Sequence, residues 1–226
     1  MRNWLNALER RLYKYNIPPI MKYIVFAMGG VFVLDLLLGV STAYTARLSL
    51  ISYLTLDIAL VLRGQVWRPI TWLVIPQQES MLWMLLSLYF YYMIGTALEN
   101  RWGPRRFLIY YVIGALANIL GAFIAHAITG HGYGTNGYLY YSLFLAFAAL
   151  YPDMQFMMFF FLPIKAKWLA AIDLLYFLMA IIGGTVSMRL AAIASLVNVA
   201  LFFGDDLYQL ARRTYFQWQR RRQFRQ

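Results

Sequence analysis

The sequence predicts an all-α polytopic membrane protein in which six transmembrane helices form one bundle. Apolar residues make up 62% of the 226 residues, and the mean hydropathy is +0.58, which is more than the core of a soluble domain of this size needs. Six apolar segments follow one another, and basic residues collect between and after them. These features predict a membrane domain at 22–205, preceded by a segment at 1–21 and followed by a basic tail at 206–226.

Composition also limits the chemistry that we expect. The chain has no cysteine and only two histidines, His126 and His131, so disulfides and thiolate chemistry are excluded and a metal site is not expected. No cofactor is expected either. The net charge of +11 lies next to apolar spans, so it predicts contact with anionic membrane lipids rather than with nucleic acid.

The segment at 1–21 has apolar residues at helical spacing among basic ones, a pattern typical of an amphipathic helix on the membrane surface. Pro18 and Pro19 end this helix. It is not a secretory signal, because a long charged stretch precedes the apolar run and no small-residue cleavage site is present.

The six predicted spans alternate with connections of very different length. The long connection at 41–80 has apolar patches too short to cross about 30 Å of hydrocarbon, so we expect a folded loop lying partly in the interface, anchored by Trp67 and Trp72. The apolar segment 156–164 is also too short, and we expect it at the interface or against the bundle. The spans are predicted at 23–40, 81–98, 107–128, 138–151, 168–182 and 190–203.

Basic residues are distributed unequally over the two sides of these spans. Sixteen of the 20 Lys and Arg residues fall on the side of the two termini. Under the positive-inside rule both termini are therefore predicted to be cytoplasmic, with the long loop and residues 134–137 outside.

The fourth predicted span begins with Gly134-Thr135-Asn136-Gly137. Thr135 or Asn136 is expected to cap this helix by accepting a bond from one of its free N–H groups. The flanking glycines allow another part of the backbone to approach closely.

Three stretches, taken in order, resemble the rhomboid family of intramembrane serine proteases and its inactive, derlin-like relatives. The resemblance covers about residues 20–205 and implies a rhomboid-like six-helix bundle of bacterial type, in a bacterial inner or plasma membrane. The segment 163–168 is also similar to bacterial rhomboids. The three stretches are Trp67-Arg68-Pro69 in the long loop, Glu99-Asn100-Arg101-Trp102-Gly103 after the second span, and Gly134-Thr135-Asn136-Gly137 with Tyr140 after it.

The same resemblance implies that the protease chemistry is lost. The positions of the family's catalytic serine and histidine are Asn136 and Ser195, and those of its oxyanion-supporting histidine and asparagine fall near Trp83 and Ser87. An amide is not a nucleophile, so we expect a pseudoprotease that binds transmembrane helices or lipids without cutting them. The residues expected to contribute to binding are Trp67, Arg68, Glu99, Arg101, Tyr140 and Asn198.

Two groups of polar residues lie within the predicted spans or next to them, and each leads to a further expectation. Asn136, Ser195 and Asn198 are expected to form hydrogen bonds between the fourth and sixth helices. Asp35 and Asp173 lie within spans, where a carboxylate costs about 2.5–3.5 kcal/mol. Each acid is either a functional group or a protonated or bonded structural one.

Two alternative functions stay open on the sequence. The first is an unconventional intramembrane protease that would use Ser142 with His126 or His131. The second is a small-solute or proton transporter that would use Asp35 and Asp173, although no inverted repeat supports it.

Overall fold

A computed structural model describes residues 9–14, 16–41, 50–77, 80–158 and 162–203. The first turn predicted for the N-terminal segment and the tail predicted at 206–226 lie outside the described residues.

The membrane domain is helical, as the sequence predicts. Five helices have the length and apolarity of membrane spans, and α7, with 14 residues, is a shorter apolar helix in the fourth position. The helices are α1 (Met21–Ser41), α2 (Leu50–Leu54), α3 (Ile58–Leu62), α4 (Arg68–Thr71), α5 (Met81–Trp102), α6 (Pro104–Thr129), α7 (Gly137–Leu150), α8 (Ala166–Gly183) and α9 (Val186–Phe203).

Proline and glycine set several of these boundaries. Gly103 ends α5 with φ +85°, a left-handed conformation that glycine adopts without a Cβ penalty. Pro104 then opens α6, where its missing N–H costs nothing. On the same side of the bundle α7 ends at Leu150, shortly before Pro152.

Helix α7 lies at the centre of the bundle. Most of its residues are buried, and it packs against α5, α6 and α8. Helix α8, by contrast, buries only a narrow stripe: Ala166, Asp173, Phe177 and Ala180. The core therefore surrounds α7, while α8 lies at the periphery.

The segment predicted at 156–164 packs against the bundle, but as a β-hairpin rather than as a helix or an irregular chain. Strand β3 (Gln155–Met158) pairs antiparallel with β4 (Leu162–Lys165). Phe156 is buried beside Phe90 of α5 and Phe147 of α7, with ring centroids 5.7 Å apart in both pairs. A short apolar run does not distinguish a strand from a buried helix by its periodicity.

The base of this hairpin carries an ionic cluster. Lys165 and Lys167 place their ammonium groups 3.3 and 3.4 Å from the carboxylate of Asp153. The hydrogen bond from Lys165 and the two positive charges hold the pKa of Asp153 below its ordinary value. The group is fully exposed, so this pair adds little to stability.

The described part of the long loop, residues 50–77, is folded, as predicted, and is joined to the start of α7. Strand β1 (Leu56–Asp57) pairs with β2 (Tyr133–Gly134), Leu56 opposite Gly134. A Cβ on Gly134 would collide with the Leu56 side chain. The glycine therefore permits the close backbone approach that the sequence predicts.

The described part of the N-terminal segment lies against the turn between α5 and α6. Glu9 is 3.2 Å from the guanidinium of Arg106, and the guanidinium of Arg105 lies 4.6 Å from the ring centre of Tyr13. The segment is thus attached to the basic side of the bundle.

Candidate functional site

The start of α7 is fastened to the loop by the side chain of Asn136. Its amide nitrogen donates to the carbonyl oxygens of Ile75 at 2.9 Å and Leu73 at 3.4 Å. Its amide oxygen accepts from the side chain of Gln77. Asn136 is 1% exposed, so all of its polar atoms are used within the protein.

The prediction that Thr135 or Asn136 caps α7 through its side chain is wrong within the described residues. Asn136 occupies the N-cap position, but with helical φ and ψ and no side-chain capping bond. Its amide reaches the loop carbonyls instead, which an α-helical backbone at this position allows. Thr135 is exposed.

Tyr140 completes this attachment one turn further along α7. Its hydroxyl donates to the carbonyl of Leu73 at 2.5 Å and lies 3.3 Å from the sulfur of Met28 in α1. Its ring lies 4.4 Å from that of Tyr91 in α5. Tyr140 is 2% exposed, so it joins the loop, α1 and α5 to the central helix rather than facing an open pocket.

The second position implied for the dyad, Ser195, does not meet Asn136. Ser195 is fully buried on α9 and accepts a hydrogen bond from the side-chain amide of Asn118 at 3.1 Å. Asn198 donates to the backbone carbonyl of Tyr110 at 3.2 Å. The predicted bonds between the fourth and sixth helices are therefore replaced by bonds from α9 to α6.

A glycine explains why α6 and α9 approach so closely. A Cβ built on Gly114 would lie 2.6 Å from the amide nitrogen of Asn198 and 2.6 Å from a methyl carbon of Leu139. The absent side chain thus leaves room for α7 and α9 together on the same face of α6.

The two other positions implied by the resemblance, Trp83 and Ser87, make their contacts elsewhere than at Asn136. Trp83 is 54% exposed on the outside of α5. Ser87 donates to the carbonyl of Met84 at 2.9 Å, one turn back in its own helix.

Ser142, the candidate nucleophile of the unconventional protease, is fully buried. Its hydroxyl donates to the carbonyl of Leu139 at 2.7 Å and accepts from the hydroxyl of Tyr110 at 3.1 Å. Within the described part of the chain neither His126 nor His131 is hydrogen-bonded to it.

Arg68, which the sequence predicts to contribute to binding, instead holds the loop together from its interior. The side chain is 3% exposed. It donates to the carbonyls of Ser52 at 2.9 Å and Thr55 at 2.6 Å and to the side chain of Gln65 at 2.6 Å. Carbonyls at the end of α2 are thereby satisfied by a charged donor.

The two loop tryptophans differ in position. Trp67 is 46% exposed and donates to the carbonyl of Tyr53 at 3.3 Å, which fits the expected interface anchor. Trp72 is fully buried and donates to the carbonyl of Pro69 at 3.1 Å. The expectation that Trp72 anchors the interface is therefore wrong.

Glu99 connects the first two spans. Its carboxylate accepts the backbone N–H of Ile20 at 2.6 Å, at the start of α1, where a helix favours negative charge. The residue is 4% exposed, so its oxygens are turned to the chain itself. Arg101, two residues on, is exposed.

The two intramembrane acids have different environments. Asp35 accepts the backbone N–H of Ile51 at 3.3 Å, in the first turn of α2, so it is bonded within the protein. Asp173 is 8% exposed in the interface of α8 with α7. Its Oδ2 is buried and has no hydrogen-bond partner among the described residues.

Sequence reasoning did not predict three contacts that complete the site. Gln77 bonds to Asn136, Asn118 bonds to Ser195, and Tyr110 bonds to Ser142. Asn118 carries a usable signal, because an amide in the middle of an apolar span requires an internal partner. Gln77 lies in a polar stretch, so the sequence carries no signal that it bonds to Asn136.

The fold defines a multi-pass integral membrane protein with one central short helix fastened to a folded loop. The chain belongs to a family described as eukaryotic integral membrane protein (DUF1751), whose profile matches residues 25–204. The description is eukaryotic, which is at odds with the bacterial type and bacterial membrane expected from the sequence. A comparison with curated proteins found no match.

Proposed function

We propose that this protein is a rhomboid-like pseudoprotease that binds transmembrane helices or lipids in the membrane without cleaving them. The observation that carries the proposal is the use of Asn136. Its amide is engaged with the carbonyls of Leu73 and Ile75 and with Gln77, at the position where an active relative would expose a hydroxyl. A buried amide is not a nucleophile, and this one has both its nitrogen and its oxygen hydrogen-bonded within the protein.

The exposed surface of Tyr141 on the central helix supports helix binding. On α7, Tyr140 contacts Tyr91 of α5, and Tyr138 contacts Tyr176 and Phe177 of α8. The ring of Tyr141 also packs against Tyr176, with ring centroids 5.0 Å apart, yet Tyr141 keeps 37% of its surface exposed. We propose that a guest helix enters beside this exposed surface, between α5 and α8, and we call this region the α5–α8 cleft.

The weak attachment of α8 also supports the proposal. Its packing stripe is narrow and contains Asp173, whose buried Oδ2 has no hydrogen-bond partner among the described residues and which lies near Tyr141. An unpaired polar group in hydrocarbon is costly. A polar or basic group of a guest helix in the cleft would offset that cost.

The proposed orientation places both termini in the cytoplasm and the loop with Asn136 outside, because sixteen of the 20 basic residues then lie inside. The proposed membrane is a plasma or internal membrane with anionic lipids on the cytoplasmic side. The basic tail would contact those lipids.

Photocrosslinking tests the helix-binding proposal. Benzoylphenylalanine replaces Tyr141 in the cleft or, as a matched control, Leu116, which is 59% exposed on α6. The protein is reconstituted with a single-span Leu/Ala peptide carrying one central lysine, or with the same peptide carrying leucine there.

We expect the lysine peptide to crosslink at position 141 several times more than at 116, to remain full-length, and to lose its advantage over the leucine peptide in Asp173→Asn. Equal crosslinking at both positions would refute helix binding. Recovery of cut peptide would refute the pseudoprotease.

A further inference from the structure

A second cleft lies on the opposite side of α5, between α5 and α1. It has a volume of about 330 Å³ and is lined by Lys22, Val25, Phe26, Leu88, Tyr89 and Tyr92. The helices run close together at one end, where a Cβ on Gly29 would lie 3.6 Å from a methyl carbon of Leu88. Lys22 is at the other end, in the first turn of α1.

Lys22 supplies a cation to this cleft that no close ion pair neutralises within the described ranges. The ion pairs there involve Arg106, Lys165 and Lys167, and Lys22 is not among them. Its ammonium lies 5.0 Å from the ring centre of Tyr23. The carboxylate of Glu99 interacts electrostatically with Lys22, but it is buried and accepts the backbone N–H of Ile20, so it offsets the charge of Lys22 only from a distance.

The remaining lining is suited to the upper part of a lipid. Lys22 and Phe26 are one helical turn apart, as are Leu88 and Tyr92, so the cleft extends about 6–10 Å from the ammonium. Tyr89 and Tyr92 are 62% and 46% exposed, and tyrosine is typical of the level where headgroup and hydrocarbon meet. A guest helix that crosses the membrane has about 20 residues, and this short cleft would contact only a small part of it.

We propose that the α1–α5 cleft binds an anionic glycerophospholipid, with its phosphate at Lys22 and the first part of an acyl chain against Phe26 and Leu88. A zwitterionic lipid carries its own cation and gains less from Lys22. Since surrounding lipid tails are as apolar as the cleft, the headgroup charge determines the preference. The inference rests on the lipid-binding part of the proposed function and is independent of the α5–α8 cleft.

Native mass spectrometry tests this site. Purified protein is exposed to equimolar phosphatidylglycerol and phosphatidylcholine with matched acyl chains. One lysine near the membrane surface contributes about 1 kcal/mol, so we expect roughly a fivefold preference for phosphatidylglycerol. Lys22→Ala should abolish this preference and Lys22→Arg should retain it. Lys167→Ala, which removes an exposed lysine already paired with Asp153, should leave it unchanged.

Three results would overturn the site: a preference that survives Lys22→Ala, an equal loss in Lys167→Ala, or crosslinks between two copies of the chain from a photoreactive residue at Phe26. Peptide crosslinking at Tyr141 is measured on the same Lys22→Ala protein. It should be unaffected, so the failure of one proposal is separable from the failure of the other.

Discussion

The fastening of the loop by Asn136 predicts a specific local instability in Asn136→Ala. The substitution removes the amide that donates to Ile75 at 2.9 Å and Leu73 at 3.4 Å. The carbonyl of Leu73 keeps the hydroxyl of Tyr140 at 2.5 Å, so Ile75 loses its side-chain partner. Gln77 loses its acceptor as well.

The expected magnitude follows from the burial of these groups. A buried polar group left without its partner costs about 1–3 kcal/mol. Ile75 is half-buried and Gln77 is exposed, so each group contributes near the lower end of that range, and the two together contribute about 2 kcal/mol. That free energy corresponds to roughly a 30-fold increase in the open population of the loop.

Hydrogen exchange measured by mass spectrometry reads this opening directly. In detergent-solubilised Asn136→Ala, peptides that cover residues 72–77 should exchange about 30-fold faster than in the unmodified protein. The control is Thr135→Ala, which changes the exposed neighbour and should stay within twofold. Equal exchange in the two variants would refute the fastening role of Asn136.

Three further predictions concern packing, the loop and orientation. Gly114→Ala should lower the free energy of unfolding by about 1–3 kcal/mol, because its Cβ would be 2.6 Å from neighbouring atoms, whereas Gly30→Ala meets nothing within 4 Å and should be neutral in the same thermal unfolding assay. Arg68→Lys should lower the free energy of unfolding by about 2 kcal/mol in the same assay, because a single ammonium cannot reproduce a guanidinium bonded to two carbonyls and a side-chain amide. An unchanged melting temperature would contradict the role of Arg68 in holding the loop together. Thr135→Cys should react with an impermeant maleimide in intact cells and Gln217→Cys should not, and the reverse pattern would overturn the proposed orientation.

The helical framework could be predicted from sequence because its signals are local. Long apolar runs define spans by length, and Gly103 with Pro104 marks the turn between α5 and α6. The hairpin at 155–165 was not predictable in the same way. Its apolar run has no alternation between polar and apolar residues that would indicate a strand, although Phe156 packs against Phe90 of α5.

The partners of the site residues depend on contacts that are distant in sequence. Asparagine is a residue type preferred at helix N-caps. Only the position of residues 73–77 in the fold shows that Asn136 bonds to loop carbonyls instead. Arg68 follows an exposed tryptophan in a loop beside the membrane, yet its guanidinium is buried and bonded to the carbonyls of Ser52 and Thr55. Local preference is a weak guide wherever a tertiary hydrogen bond competes with it.

Labelling with a fluorophosphonate tests most directly whether the protein is a pseudoprotease. The account predicts no labelling of the unmodified protein beside an active rhomboid as positive control, and none of Asn136→Ser, because a serine needs an adjacent base to become a nucleophile. The double variant with Ser195→His should label faintly at most, since Trp83 and Ser87 supply no evident oxyanion donor and loss of one such donor costs about 10²- to 10³-fold in turnover. Robust labelling of the unmodified protein, mapped to Ser142, Ser195 or any other serine, would contradict the account.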